Sequence, residues 1–195
     1  SITTNHRTTQ YTYGNWGEVK RVVEPSPGST ITYTYYSNGK PRIIQSGTTT
    51  ITMTYDALGY QTTLTDPDAG TYQYRYDALG RLTYQKDSRN NETRLYYDNA
   101  GRIDYKTING STYDYEYYTS GVAKGYLKRI SAPNGTIWES YEYDNLGRLS
   151  KTTQRIDASI NDLEFQYAYD GSGNMNKIVY PGGLTVNREY DNYGN

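Results

Sequence analysis

Tyrosines alternate with polar residues in several stretches of the chain, most clearly at positions 72, 74 and 76 and at positions 113, 115 and 117. Successive side chains of a β-strand point to opposite faces of a sheet, so this spacing places the tyrosines together on one face. No competing stretch has the periodicity of an amphipathic helix. The pattern therefore predicts an all-β chain whose strands carry a tyrosine face and a polar face.

Each tyrosine run ends in the motif Tyr-Asp-x-x-Gly-Arg-Leu or in a variant of it. Aspartate favours the first position of a type I turn, and glycine favours the fourth, where φ turns positive. Such a three-residue loop with a G1 bulge closes a β-hairpin. The motif residues are Tyr55, Asp56 and Gly59; Tyr76, Asp77, Gly80 and Arg81; Tyr97, Asp98, Gly101 and Arg102; Tyr143, Asp144, Gly147 and Arg148; Tyr169, Asp170 and Gly173; and Tyr190, Asp191 and Gly194.

Degenerate copies start at Tyr13, Tyr36 and Tyr118, which gives nine copies at intervals of about 22 residues. A second set of turn signals lies between the motifs: Ser46-Gly47, Asp66-Pro67-Asp68-Ala69-Gly70, Asn90-Asn91, Asn109-Gly110, Asn134-Gly135 and Gly182-Gly183. Each repeat is thus expected to supply two strands and two turns. We predict an all-β fold of tandem antiparallel β-hairpin repeats that form a spiralling sheet. Residues 1–195 are expected to be a single array, truncated at both ends.

The motif also predicts the register of the hairpins. The expected closing pairs are Asp77 with Arg81, Asp98 with Arg102 and Asp144 with Arg148. The expected next pairs are Tyr76 with Leu82, Tyr97 with Ile103 and Tyr143 with Leu149. A tyrosine and an aliphatic residue would then share one face of the sheet, which is worth about 0.2–1 kcal/mol for each cross-strand pair.

The composition is unusual for a folded domain, because Leu, Ile, Val and Phe total only 29 of 195 residues. Such a low content is typical of disorder, but disordered chains also tend to carry a high net charge. Here the net charge is −1, and the chain has 26 tyrosines. Each tyrosine can bury roughly 150–250 Å² while its hydroxyl stays hydrogen-bonded. The predicted core is therefore built from tyrosine.

The candidate catalytic chemistry is sparse. The one histidine, His6, lies in a polar N-terminal stretch, so a nucleophilic triad is not expected. With one histidine and no cysteine, a histidine or thiolate metal cluster is excluded. Paired carboxylates of the glycosidase type are compatible with the composition, but the aspartates recur at turn positions, which favours a turn-capping role. Thin calcium candidates are Asp66 with Asp68 and residues 170–174. We predict no catalytic residue, no cofactor and no metal site.

Charge and hydropathy restrict the classes of partner that the chain is expected to bind. The chain has 20 basic and 21 acidic residues, without the basic excess of a nucleic-acid-binding protein. No stretch approaches the ~18–20 apolar residues that a membrane helix needs, so direct membrane insertion is not expected. The arrayed tyrosines allow two interpretations: they line a core or shell, or they form an exposed platform for carbohydrate or a partner protein.

The repeated motif, from Tyr11 to Asn195, resembles the YD-repeat or RHS (rearrangement hotspot) family of bacterial RHS proteins, toxin-complex shell subunits, wall-associated proteins and teneurins. The resemblance implies a spiralling β-sheet that closes into a shell or barrel. It implies a non-enzymatic, secreted or cell-surface scaffold whose partners are the rest of its own array and an encapsulated C-terminal toxin. The alternative is an extracellular adhesion module that binds carbohydrate or a cell-surface protein. The family's aspartate-dependent self-cleavage signature is only partly echoed, at residues 66–70, which we interpret as a repeat turn.

Overall fold

A computed structural model describes residues 8–25 and 30–191 of the chain. The strands of the first unit, residues 1–94, are β1 (Gln10–Tyr13), β2 (Val19–Val23), β3 (Thr30–Tyr35), β4 (Pro41–Ser46), β5 (Thr49–Tyr55), β6 (Gln61–Asp66), β7 (Gly70–Tyr76), β8 (Leu82–Lys86) and the beginning of β9 (Glu92–Tyr97). Each strand pairs antiparallel with the next one along the chain. The unit is thus a series of hairpins.

The second unit, residues 95–195, repeats this arrangement. It contains the end of β9, then β10 (Ile103–Ile108), β11 (Ser111–Tyr117), β12 (Leu127–Ser131), β13 (Trp138–Tyr143), β14 (Leu149–Arg155), β15 (Leu163–Tyr169), β16 (Met175–Val179) and β17 (Thr185–Asn187). From β10 onward, consecutive strands pair antiparallel. In the described ranges the only helix is a single 3₁₀ turn at Pro133–Gly135. The prediction of an all-β fold of tandem hairpins is confirmed.

The motif turns have the predicted geometry. In the hairpin between β7 and β8, the N–H of Asp77 donates to the carbonyl of Arg81 at 2.9 Å, and Gly80 has a φ of 78°. Tyr76 then lies opposite Leu82, as expected from the sequence. The corresponding pair of Tyr143 with Leu149 is also confirmed.

Two degenerate copies begin one residue earlier than the sequence suggested. Tyr35 lies opposite Pro41, and Tyr117 lies opposite Leu127. Tyr36 and Tyr118 therefore occupy the turn position that aspartate holds in the other repeats, and their N–H groups donate to the closing carbonyls of residues 40 and 126. The predicted starting points were wrong because two adjacent tyrosines precede each of these turns, and only the pairing decides between them.

Besides the G1 bulge expected at the turn, the motif hairpins share a second β-bulge that the sequence did not predict. In seven of them the register shifts directly beyond the motif tyrosine, as between Tyr76 and Arg75, so that one extra residue, here Thr83, enters the second strand. The hairpins that are closed by the turns between the motifs have no such shift. A bulge bends a strand and increases its twist. Bending is thus concentrated at the motif end of the hairpins.

The second turn row is more varied than predicted. Asn109 and Gly110 both have positive φ, in the two-residue turn expected for Asn-Gly. The turn signal assigned to Asn90-Asn91 is instead a second aspartate turn. There the N–H of Asp87 donates to the carbonyl of Asn91, and Asn90 takes the left-handed conformation, with φ of 66°. Asparagine replaces glycine here because it tolerates that conformation better than other side chains.

The tyrosine face is half-buried rather than fully buried. In β7 the side chains of Tyr72, Tyr74 and Tyr76 are partly covered, while the intervening residues are exposed. In the described residues, Met53 and Tyr84, at 8% and 7% exposure, are the only buried hydrophobic side chains, and none is completely buried. Tyr84 is covered on the opposite face, where the guanidinium groups of Arg75 and Arg94 lie 4.8 and 5.1 Å from its ring centre. Tyrosine therefore supplies a thin, partly wet core.

Glycine substitutions test the turn assignment. Gly80 has a positive φ, and a Cβ there would also meet the hydroxyl of Tyr60, whereas Gly39 has a similar φ with open space around it. We expect Gly39→Ala to cost about 1 kcal/mol from backbone strain, and Gly80→Ala and Gly80→Val to cost more. Urea denaturation followed by circular dichroism measures the difference. Gly171→Ala is the control, because Gly171 has neither a positive φ nor a neighbour within 4 Å; equal stability of all four variants would contradict the assignment.

Candidate functional site: the contact between successive repeats

The aspartate of each motif holds its own turn. Oδ1 of Asp144 accepts hydrogen bonds from the N–H groups of Leu146 and Arg148, both at 2.9 Å. Oδ2 accepts from the guanidinium of Arg148, with Nε at 2.7 Å and one terminal nitrogen at 2.7 Å. The same bonds recur between Asp77 and Arg81 and between Asp98 and Arg102. The carboxylate thus caps the turn and fixes the direction of the arginine.

That arginine reaches the next repeat. The guanidinium carbon of Arg102 lies 4.0 Å from the ring centre of Tyr117, and that of Arg148 lies 4.4 Å from the ring centre of Tyr169. A guanidinium over an aromatic face is attracted by the ring, by about 0.5–1 kcal/mol at exposed sites. The motif arginine therefore links the carboxylate of its own repeat to the motif tyrosine of the following one.

The tyrosine completes the contact with its hydroxyl, which donates to the carbonyl of the aliphatic residue in the preceding motif. Tyr169 donates to Leu149 at 2.8 Å, and that residue lies where the bulge interrupts the strand ladder. The same bond joins Tyr35 to Val19, Tyr117 to Ile103, Tyr143 to Leu127 and Tyr190 to Met175, at 2.7 to 3.0 Å. The aliphatic position of one repeat and the tyrosine of the next are thereby joined directly.

Degenerate motifs keep this contact with different chemistry. Tyr60 stands where arginine is expected and stacks on Tyr76 with ring centres 5.0 Å apart. Tyr126 meets Tyr143 edge to face, also at 5.0 Å. In the second repeat, Lys40 lies 5.4 Å from the ring centre of Tyr55. In five repeats the position after the motif glycine is therefore a stacking position, which a cation or an aromatic ring fills.

The glycine of the next motif makes room for this stacking residue. A Cβ on Gly59 would collide with the side chain of Lys40, and one on Gly80 would collide with the ring of Tyr60. The glycine is needed both for its positive φ and for the neighbouring repeat. The second role could not be seen in a single motif, because the two residues are some 20 positions apart.

The contacts described above shift the pKa values of several aspartates and tyrosines. The pKa values of Asp77, Asp98 and Asp144 are lowered, first by the backbone N–H of the arginine that each carboxylate accepts and then by its guanidinium. The pKa of the Tyr169 hydroxyl is raised because the phenol is partly removed from water. Burial, followed by the nearby Glu139 carboxylate, raises the pKa of Tyr141 to about 12.

The remaining motif residues vary in how far they match this arrangement. Asp56 and Asp170 cap their turns in the same way, but Asn174 replaces the arginine after Asp170 and bonds its carboxylate through the side-chain amide. The glycines at positions 59, 80, 101, 147 and 173 all have positive φ. Tyr190 makes the inter-repeat hydrogen bond, and Asp191 also lies within the described part. Gly194 lies outside it, as does His6.

The carboxylates considered as calcium ligands include Asp66, which has a structural role. Oδ1 of Asp66 accepts the N–H groups of Asp68 and Ala69, so this calcium candidate forms a capped turn. Between residues 8 and 191, apart from the undescribed segment 26–29, no three His, Cys, Asp or Glu side chains are grouped as a metal site would require. No helix in those ranges is long and apolar enough to span a membrane.

A pair of tyrosine substitutions separates the hydroxyl bond from the ring contact. Tyr169→Phe removes the bond to the Leu149 carbonyl while the ring remains available to Arg148, and we expect a loss of about 1 kcal/mol in unfolding free energy. Tyr167→Phe is the matched control on the same strand and face, since no hydrogen bond of its hydroxyl is seen. Urea denaturation gives both values. Equal losses for the two variants would contradict a specific role for the motif hydroxyl.

The lowered aspartate pKa values predict acid sensitivity. A carboxyl whose pKa is depressed by folding stabilises the folded state above its unfolded value of about 3.9 and loses that contribution as the pH falls through the folded value. Stability should therefore decline below about pH 4, and Asp144→Asn should flatten this decline because one of the depressed groups is removed. Thermal melts across this pH range test the prediction. Asp104→Asn is the control, because Asp104 is an exposed residue within a strand. An unchanged acid slope in Asp144→Asn would refute it.

Comparisons with known proteins agree with the motif. The family model described as Teneurin YD-shell matches residues 121–195. No curated protein matches the chain. Among solved structures, the crystal structure of TcdB2-TccC3-TEV is 15% identical with a TM-score of 0.49, over 97% of this chain and 15% of that chain. The Photorhabdus luminescens Tc holotoxin pore is 15% identical with a TM-score of 0.45, over 89% of this chain and 14% of that chain.

The chain therefore spans about 15% of the length of the solved structures to which it is similar. The match to the family model covers β12 to β17, where the hydroxyl bond between successive repeats is found three times. The resemblance predicted from the repeated motif is confirmed over residues 121–195, which match the Teneurin YD-shell family model.

Proposed function

We propose that residues 1–195 form one continuous array that serves as a structural segment of a YD-repeat shell and carries out no catalysis. The observation that supports this most is the use made of the motif residues. The aspartate caps the turn, the arginine stacks on the next tyrosine, and the tyrosine hydroxyl bonds the previous repeat. Residues that recur in each repeat and contact the neighbouring repeat are suited to building a wall.

The shell of the natural protein, on this proposal, lies outside the cell and encloses a cargo domain such as a C-terminal toxin. The partners of the segment are then the other repeats of its own array and the enclosed cargo. The near-neutral charge of the chain, −1, fits a wall that neither attracts nucleic acid nor repels a cargo of either sign. The chain has no cysteine, so disulfides do not contribute to its stability.

Protease protection tests enclosure in the natural full-length protein. We expect the enclosed domain to resist a protease that cleaves the same domain readily when it is expressed alone. Arg102→Ala combined with Arg148→Ala should increase its cleavage, since both guanidinium contacts between repeats are lost. Arg89→Ala is the control, because Arg89 is exposed at a turn of the opposite row. Electron microscopy that showed the array as an open ribbon, with no enclosed volume, would contradict the proposal.

The second candidate is an adhesion module that binds carbohydrate or a cell-surface protein. It is favoured by the rings of Tyr11 and Tyr13, which are more than half exposed and stack on each other with centres 6.3 Å apart. Exposed aromatic side chains are frequent anchors of binding surfaces. A glycan array distinguishes the two candidates, because only the adhesion module should bind a sugar. The substitutions Tyr11→Ala and Tyr13→Ala should abolish that binding.

A further inference from the structure

The first repeat departs from the stacking rule in a way that leaves space. In five later repeats a cation or a ring after the motif glycine lies against the next motif tyrosine, as Arg102 lies over Tyr117. In the first repeat the residue after Gly17 is Glu18, which carries the opposite charge. Its Oε2 accepts the N–H of Trp16 at 3.0 Å, so the side chain folds back over its own turn. Within residues 8–25 and 30–191, no cation or ring stacks on the next motif tyrosine, Tyr35, as it does in those five repeats.

The missing stacking residue coincides with a cleft of about 660 Å³. Tyr35 forms part of its wall, and its hydroxyl still donates to the carbonyl of Val19 at 2.7 Å, so the ring is held in the usual place. Trp16 and Glu18 stand on one side, and the turn of the second repeat, with Ser37 and Asn38, closes the other. All these residues belong to the first unit.

The charge around the cleft identifies the missing group. In the fifth repeat the guanidinium of Arg102 lies between the carboxylate of Asp98, at 2.6 Å, and the ring of Tyr117, at 4.0 Å. In the first repeat a carboxylate, Glu18, and a ring, Tyr35, flank the same position. The Glu18 charge is close enough to contribute to the raised pKa of the Tyr35 hydroxyl, after burial and Tyr33. The chain thus supplies the anion and the aromatic face, and the cation nearest to this anion is Lys20, whose Nζ lies 3.9 Å from Glu18.

We propose that this cleft binds the guanidinium group of an arginine side chain from a partner polypeptide. Guanidinium is planar, pairs with carboxylates and stacks on aromatic faces, which is the combination that the cleft offers. The indole of Trp16, which is 93% exposed, provides a second aromatic surface beside the slot. A volume of about 660 Å³ exceeds what a guanidinium group needs and falls in the range of sites that enclose whole ligands. Flanking residues of the partner peptide fill the remainder.

Lys20 sets the strength of this interaction. Its Nζ lies 3.9 Å from Oε1 of Glu18, and its side chain is about half exposed. An exposed pair at this distance is weak, so an entering guanidinium can displace the ammonium from the carboxylate. Lys20 competes for Glu18 without covering the ring, and its removal should strengthen binding.

The test uses two short blocked peptides of the sequence Gly-Arg-Gly and Gly-citrulline-Gly, since citrulline keeps the shape of arginine without its charge. Two-dimensional NMR of the chain at low salt should show shifts confined to the cleft, at residues 16–20 and 33–39, with the arginine peptide. We expect the arginine peptide to bind at least about tenfold more tightly than the citrulline peptide, as for loss of a charge-assisted contact. Free arginine should bind more weakly than the peptide, because it leaves the cleft partly filled.

Variants distinguish specific binding in the cleft from general attraction of the peptide to an acidic surface. Glu18→Gln and Trp16→Ala should each lower the affinity for the arginine peptide several-fold, and Lys20→Gln should raise this affinity. Glu24→Gln removes an exposed carboxylate that does not line the cleft and should change nothing. Circular dichroism checks that each variant folds. Equal affinity for the two peptides, no detectable binding of the arginine peptide, or equal effects of Glu18→Gln and Glu24→Gln would overturn the proposal.

Discussion

One contact supports the rest of this molecule: in five repeats the motif tyrosine donates its hydroxyl to a carbonyl of the repeat before it. Over two of these tyrosines, Tyr117 and Tyr169, lies an arginine that the earlier repeat supplies. A β-hairpin alone is marginal in water because it cannot cover its apolar face. The contact gives each hairpin a neighbour that covers part of this face and satisfies a carbonyl at the bulge. Stability in such an array is close to a sum of repeat and neighbour terms. A repeat is therefore expected to need at least one neighbour for stability.

The use of tyrosine as the core residue follows from the thinness of the sheet. Aliphatic side chains that stayed half-exposed would keep much of their surface in water and contribute little. A half-buried tyrosine covers a large area with its ring and keeps its hydroxyl bonded or wet. The chain adds a related device on the opposite face, where Arg129 and Arg155 flank the indole of Trp138 at 4.6 and 5.3 Å, much as two arginines flank Tyr84. Both faces are stabilised by cations on rings, which tolerate water better than an aliphatic core.

The sequence predicted the local structure well and the contacts between repeats poorly. The turn of Asp77 and Gly80, the pair of Tyr76 with Leu82 and the alternation in β7 all depend on residues within a few positions of one another, so local rules were sufficient. The bond from Tyr169 to Leu149 joins residues 20 positions apart, and no local rule identifies it. The bulge was missed for a related reason, because its signal is the pairing itself. The copies at Tyr35 and Tyr117 were displaced by one residue because adjacent tyrosines satisfy the pattern equally well.

Departures from the motif carry as much information as the motif itself once the neighbour contact is known. Tyr60 and Tyr126 replace arginine and preserve the contact, since a ring can stack on a tyrosine as a guanidinium does. Asn174 keeps the bond to the turn aspartate without a positive charge. Glu18 does neither: it reverses the charge, turns back on its own loop and leaves the ring of Tyr35 beside a cleft. A repeat array can lose one internal contact without unfolding, because its neighbours are still joined to one another. Such a position is where an array can gain a binding site at little cost to its stability, and in the described part of the first unit it is the position beside which Trp16 stands almost fully exposed.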